Sequence, residues 1–237
     1  MAMKTALITG LSELDIQLGK ADADILCLYG QRLLEKNQVM NLTAITDPAE
    51  VAKLHFLDSL ALSKYIDFKG KQLIDVGCGA GFPSLPLKIA VPELSITMLD
   101  STEKRINWLK ELTAELGVEA ECVAARAEDV AMDSDYRQKY DVATARAVAR
   151  LNILAELCLP FVKVGGVFAA MKGADSEDEI NEAKNAIKLL GGKIEAVEDY
   201  PIPGTDGVVH RVVIIRKTEP TPREYPRKYA KIKKSPL

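Results

Sequence analysis

The stretch LIDVGCGAGFPSLPLKIA, residues 73–90, decides how this chain is read. A short apolar run, Leu73 to Val76, leads into glycines at 77, 79 and 81 and then into a helix-like segment. Glycine costs conformational entropy unless the backbone must bend sharply or come close to something else. Glycines at alternate positions between a strand and a helix therefore mark a loop kept clear of side chains. A ligand-free tight turn, a dinucleotide, or another nucleoside-bearing cofactor would each fit that description. The dinucleotide fingerprint GxGxxG, started at Gly77, needs its third glycine at position 82, where the chain has Phe82.

Outward from the loop, the chain after Gly70 alternates between strand and helix patterns. Strands are predicted at 72–76, 94–100, 121–125, 140–145, 165–172, 193–200 and 210–217, with helical runs at 84–91, 104–117, 151–162 and 176–192. Such alternation predicts an α/β fold, a mostly parallel sheet with helices on both faces. Only IPGTDGVV joins the last two strands, too short for a helical crossover, so they should pair antiparallel. A Rossmann-like seven-stranded sheet finished by an antiparallel hairpin is the order of a class I S-adenosylmethionine (SAM)-dependent methyltransferase.

Residues 1–66 show helical periodicity and are expected to form a helical extension packed on the core. Ile25, Leu28, Tyr29 and Leu33 share one predicted helix face. TDPAE signals a further helix start, with Asp47 as N-cap, Pro48 at the first helical position and Glu50 placed to close a capping box. The methyltransferase domain is expected over 67–218 and a basic tail over 219–237. From Arg216 onward eight Lys and Arg face only Glu219 and Glu224, and four prolines interrupt them. That composition predicts an extended, flexible positive arm rather than a helix.

A chain of 237 residues with 48% hydrophobic content can bury a substantial core. The net charge of −3 does not mark the whole chain as a nucleic-acid binder. Cys27, Cys78, Cys122 and Cys158 form no CxxC pair, which argues against a zinc site, a redox motif or a disulfide framework. Cys158, beside Pro160 in an apolar run, reads as core rather than as a nucleophile. The N-terminus lacks the pattern of a secretory signal and no run is long enough to span a bilayer. The expectation is a soluble, cytoplasmic protein that acts as a monomer and binds no metal.

The glycine loop and Asp100 point to the cofactor. Asp100 ends the second predicted strand, where an acid can accept hydrogen bonds from both ribose hydroxyls; it could equally be a solvated strand end or a helix N-cap. NAD enzymes use a similar acid, so Asp100 supports adenosine binding without choosing between cofactors. The glycine spacing and the terminal hairpin favour SAM over a dinucleotide, and DVGCGAG resembles the first motif of SAM methyltransferases, which implies that the loop with Gly77, Gly79 and Gly81 passes under the methionine portion. Ala127 and Glu128, after the third strand, fall where the adenine should lie.

The methyl acceptor is narrowed by what is missing. After the fourth strand the chain reads ATARAVAR, without the Asn/Asp-Pro-Pro-aromatic tetrapeptide common among exocyclic-amine methyltransferases. The Lys-Asp-Lys-Glu set typical of ribose methylation is also missing. What remains favours an atom with a free lone pair, such as guanine N7, which needs no general base. Guanine N7 and O6 are acceptors that Arg or Lys recognises well. Cations stand at the relevant sheet edge in Arg146, Lys172 and Arg211. Arg146 could instead pair with Asp141 or Asp100, and Arg211 could be an edge-strand charge. His55 and Asp58, three apart on one helical face, are expected to fix their helix on the domain.

NLTAITDPAE with HFLDS, DVGCGAGFPSLPL, LDSTEKRINWL, ARAED, TARAVARL, LPFVKVGG with MKG, and HRVVIIRK together resemble the glucose-inhibited division protein B family, bacterial 16S ribosomal RNA (guanine-N7) methyltransferases. The resemblance spans essentially the whole chain. It implies SAM held by Gly77, Phe82, Ala127, Glu128 and Arg146, and substrate held by Arg146, Lys172 and Arg211. It also implies 16S ribosomal RNA as partner, in isolation or within the small ribosomal subunit. A non-catalytic protein that keeps the fold, holds SAM structurally and binds RNA or the ribosome is the alternative. The basic tail is not shared by all members; an RNA-capturing arm and a solvated end both remain open for it.

Overall fold

Seven strands form one sheet in the computed structural model, which describes residues 1–237. They are β1 (Gln72–Val76), β2 (Ser95–Asp100), β3 (Glu121–Ala124), β4 (Tyr140–Arg146), β5 (Val162–Gly173), β6 (Gly192–Pro201) and β7 (Val209–Lys217). Their spatial order is β3-β2-β1-β4-β5-β7-β6. The first five run parallel, whereas β7 lies antiparallel between β5 and β6. This is the class I methyltransferase arrangement expected from the alternation and the short last connection. The strand order reverses between β1 and β4, so their carboxyl ends flank the crevice where open α/β sheets take ligands.

Each sheet face carries its own apolar layer. One layer includes Leu85 and Leu109 of the helices Ser84–Ala90 and Glu103–Leu116. The other includes Leu154 and Ala183 of the helices Leu151–Cys158 and Glu177–Leu189. The helix predicted over 151–162 therefore stops early, and Val162 already opens β5. Cys158 is buried in the second layer, as its apolar run predicts, and Trp108 in the first.

The N-terminal helices share the first layer. Leu7 comes from Ala2–Glu13, Leu26, Tyr29 and Leu33 from Lys20–Met40, and Phe56 and Leu57 from the helical run that follows; all are fully buried. The buried face of the second helix is thus centred on Leu26, Tyr29 and Leu33, while Ile25 and Leu28 are only half-buried. Asp47 caps the next helix, accepting from the amides of Ala49 at 2.9 Å and Glu50 at 3.0 Å. No capping box forms, because the Glu50 carboxylate instead pairs with Lys53 at 2.9 Å. Past Val51 the run widens into a π-helical turn, Ala52–Leu57, and tightens again at Asp58–Ala61. Single π turns tend to sit at functional sites, and this one carries His55 to the wall of a cavity.

The C-terminal segment corrects the expectation of a flexible arm. It lies along the domain and ends in a short helix, Tyr229–Lys234, with Ile232 fully buried. Partners remote in sequence hold it there. Arg227 forks onto the buried Glu156 carboxylate at 2.8 and 2.6 Å, and its own amide donates to the same group at 2.8 Å. Arg137 donates to the carbonyls of Thr221, Pro222 and Tyr225 at 2.9–3.1 Å. Lys217, wholly buried, donates to the Leu159 carbonyl at 2.5 Å, and burial pushes its pKa down to about 7. The strap is therefore part of the fold.

Glu156→Gln keeps the shape but removes the charge that Arg227 meets. We expect it to lower stability by about 1–3 kcal/mol and to let trypsin clip the strap well before the domain unfolds. Clipping no faster than in the parent protein would show that this ion pair does not hold the strap.

Candidate functional site

A cavity of about 450 Å³ opens at the carboxyl ends of β1, β2 and β4. Gly77, Gly79 and Phe82 line it, with Asp100, Arg146 and His55. A smaller cavity of about 170 Å³ adjoins it and is lined by Ala127 and Glu128. Gly77, Asp100, Ser101 and Val148 border both, so one elongated ligand could run through the pair.

The glycines differ in what they do. Gly79 has a left-handed φ of +57°, and a Cβ built there meets nothing nearer than the Gly77 carbonyl at 4.0 Å. Gly79 lines the cavity, so its bare backbone leaves that part of the wall open. At Gly77 the added atom would lie 2.6 Å from a Val148 methyl, so Val148 sits directly on the loop. Ala147, at a φ of +57°, turns the chain back to place it there. Gly81, expected around the cofactor, lines neither cavity. Its missing Cβ makes room for Tyr29 and Leu109, at 3.0 and 3.1 Å, and the Tyr29 hydroxyl donates to the neighbouring Ala80 carbonyl. The loop is thus fixed from beneath by the N-terminal helices.

Asp100 holds the loop from the other side. Its Oδ2 accepts from the Gly79 amide at 3.1 Å and its Oδ1 from the Thr102 amide at 2.8 Å. Asp100 is not the N-cap considered for it, since the next helix is capped at Thr102; its carboxylate closes a turn onto the Thr102 amide while still bordering both cavities. A carboxylate has about four lone-pair directions, which leaves acceptor capacity for ribose hydroxyls.

Arg146 pairs with neither Asp141 nor Asp100. Its Nη1 donates to Asp58 Oδ2 at 2.9 Å and to the Leu54 carbonyl at 3.1 Å. Its guanidinium lies 4.9 Å from the centroid of the Phe82 ring, a cation–π contact. Phe82 also stacks on His55 and Tyr29, at centroid distances of 4.6 and 5.2 Å. Asp58 is fully buried and accepts further bonds from Tyr200 Oη at 2.9 Å and His210 Nδ1 at 2.8 Å. Burial opposes its charge, but the His210 hydrogen bond and the Arg146 charge prevail and hold the carboxyl below the usual range. His210 is correspondingly raised by its bond to Asp58. His55 goes the other way: burial and the Arg146 charge push it down to about 4. Its Nε2 is within 2.8 Å of the Thr43 hydroxyl.

Lys172 and Arg211, expected to meet substrate, line neither cavity. Lys172 Nζ donates to the Ala149 carbonyl and to Glu179, both at 2.6 Å, which ties down the loop carrying Val148. Arg211 is bound by Asp199 at 2.6 and 2.9 Å and by Glu177 at 3.3 Å. In this arrangement both cations are already paired by carboxylates. His210 and Tyr200 escaped sequence reasoning. The one available signal was that this chain has only two histidines, and both of them gather at Asp58 and Arg146.

The sequence profile of the rRNA small subunit methyltransferase G family matches residues 22–202. A protein of that name from Alkaliphilus oremlandii is 47% identical over 240 residues, covering 100% of each chain. Another, from Acetivibrio thermocellus, is 46% identical over 238 residues, covering 100% of this chain and 98% of the relative. Among solved structures, TYW2 of M. jannaschii in complex with AdoMet superposes with a TM-score of 0.50 at 16% identity, covering 68% of this chain and 76% of that one. The last likeness bears on the fold alone.

Gly79→Val would put a branched side chain into the cavity at a left-handed position. We expect SAM affinity to fall by about tenfold or more, each tenfold being about 1.4 kcal/mol, in a protein that still folds. Near-parental affinity by calorimetry in the folded variant would remove the loop from the cofactor site.

Proposed function

The chain belongs to the rRNA small subunit methyltransferase G family, and on that premise we propose that it methylates N7 of a guanine in 16S ribosomal RNA, with SAM as donor. Two adjoining cavities of the right character support SAM. The Gly79 backbone would pass under its methionine portion, Asp100 would accept from its ribose, and Ala127 and Glu128 would border its adenine. When bound, SAM supplies an electrophilic methyl on a sulfonium sulfur.

The observation that carries the N7 reading is that the proton-accepting side chains on the larger cavity's wall are already engaged by the protein: His55 Nε2 by the Thr43 hydroxyl and Asp100 by the Gly79 and Thr102 amides. His55 is the wall's histidine, and at a value of about 4 it is neutral across the physiological range. Cys78, also on the wall, is raised by burial well above its ordinary value and stays a thiol. Asp75 and Lys217, each shifted to about 7 by burial, line neither cavity. With His55 tied to Thr43, Asp100 tied to the loop amides and Glu128 on the smaller, adenine-side cavity, the wall suits an acceptor whose lone pair is free at neutral pH. The protein's work is then to orient the base, present the Arg146 charge toward acceptors such as O6, and keep water out. Alignment alone can supply roughly 7–11 kcal/mol of a barrier. Lys172 acts in this reading by holding the Ala147–Val148 turn.

Nucleoside mass spectrometry of small-subunit RNA after incubation with SAM is expected to show 7-methylguanine. The single-turnover rate should not rise with pH between about 6.5 and 8.5, where a typical tuned base would lose its proton. His210, raised by Asp58, can produce a fall at the alkaline end as it deprotonates. A one-proton rise, or methylation at another atom, would overturn the N7 assignment.

A further inference from the structure

The strap that runs from β7 to the C-terminus passes beside the smaller cavity, and one of its side chains enters the cavity wall. Tyr229 lines it together with Ala127, Glu128 and Leu157. Ala127 and Glu128 come from the segment after β3 and Leu157 from the helix Leu151–Cys158, so Tyr229 is the strap's contribution to this wall. The family profile ends at residue 202, before the strap begins.

We propose that Tyr229 forms the outer wall of the adenine-binding part of the site, which makes the strap a cofactor-binding element. The inference rests on the SAM reading above. Its ring position is set from both sides along the chain. On one side, Arg227 is locked on Glu156, and Lys228 pairs with Asp129 at 2.6 Å. On the other, Ile232 is fully buried one helical turn later. The Arg126 guanidinium lies over one face of the ring, 5.9 Å from its centroid, a cation–π contact that leaves the other face for a base. Every base has a π-face that stacks on an aromatic ring, and the sequence-tolerant contact needs only a ring held in place. Tyr229 is such a ring, half-buried, and Leu157 supplies an apolar surface in the same cavity. The strap's basic composition conceals this role: Arg227 serves as its anchor, while Lys228, Lys231, Lys233 and Lys234 are exposed.

The test uses the full chain and calorimetry with SAM and with S-adenosylhomocysteine, which share the adenine but differ at sulfur. Tyr229→Ala should weaken both by a similar factor, about tenfold or more, whereas Tyr229→Phe should stay within about twofold, as loss of a stacking ring but not of a hydroxyl implies. A third variant, Tyr229→Trp, gives a readout independent of stability. Its emission, less that of the parent's single Trp108, should change on adding either ligand. Parental affinity of Tyr229→Ala for both ligands, or a silent Trp at this position with ligand bound, would overturn the proposal. A parent protein that binds no SAM would overturn the cofactor reading as well, so the two failures are distinct.

Discussion

One fully buried carboxylate joins the parts of this molecule. Asp58, in the N-terminal helical run, accepts from Arg146 at the end of β4, Tyr200 of β6 and His210 of β7. A charge so placed is costly unless it is paired and well hydrogen-bonded. Three donors from three strands meet that demand, and doing so fixes the helices against the sheet at the mouth of the ligand crevice. The pH limits follow from the two shifts. Asp58, held below its ordinary 3.8, contributes stability present above that value and lost as pH falls through its lowered pKa. His210, raised above 6.5, contributes stability fully present below that value and lost as pH rises through its raised pKa. The clamp is strongest between those limits.

Everything on the near wall of the larger cavity depends on that clamp. Arg146 would otherwise be a strand-end cation free to swing into solvent; the Asp58 bond and the Leu54 carbonyl hold it over Phe82. Phe82 in turn is held among His55, Tyr29 and Phe56. The N-terminal helices are therefore half of the site's framework. They support the glycine loop through Tyr29 and face it with His55, whose proton affinity they depress by burial.

Much of this was open to reading in the sequence. Periodicity located all seven strands because buried parallel strands such as LIDV and YDVATA are short apolar runs between helical patterns. The length of IPGTDGVV dictated the antiparallel hairpin. Side-chain partnerships were not readable in the same way. Arg146 and Asp58 are 88 residues apart and belong to segments whose contact only the fold defines. Prolines and cations in the last twenty or so residues spelled an extended arm by local propensity. Tertiary burial reversed that, since Glu156, inside the apolar run LNILAELC, carries the one charge that draws Arg227 inward. The glycine loop was recognised as a unit, but only geometry separates Gly79, which faces open cavity, from Gly81, which packs on Tyr29 and Leu109.

The claim that the buried Asp58–Arg146 bond organises the site is tested most directly by a double-mutant cycle. Asp58→Asn, Arg146→Gln and the double variant would be compared with the parent in unfolding free energy and in SAM affinity, both at about pH 7, where the Asp58 charge and the Arg146 charge are present. The account predicts a coupling of about 1–3 kcal/mol in unfolding, with the SAM affinities of the two single variants falling together. Single effects that add to within about 0.5 kcal/mol would contradict it, showing that the two residues act independently.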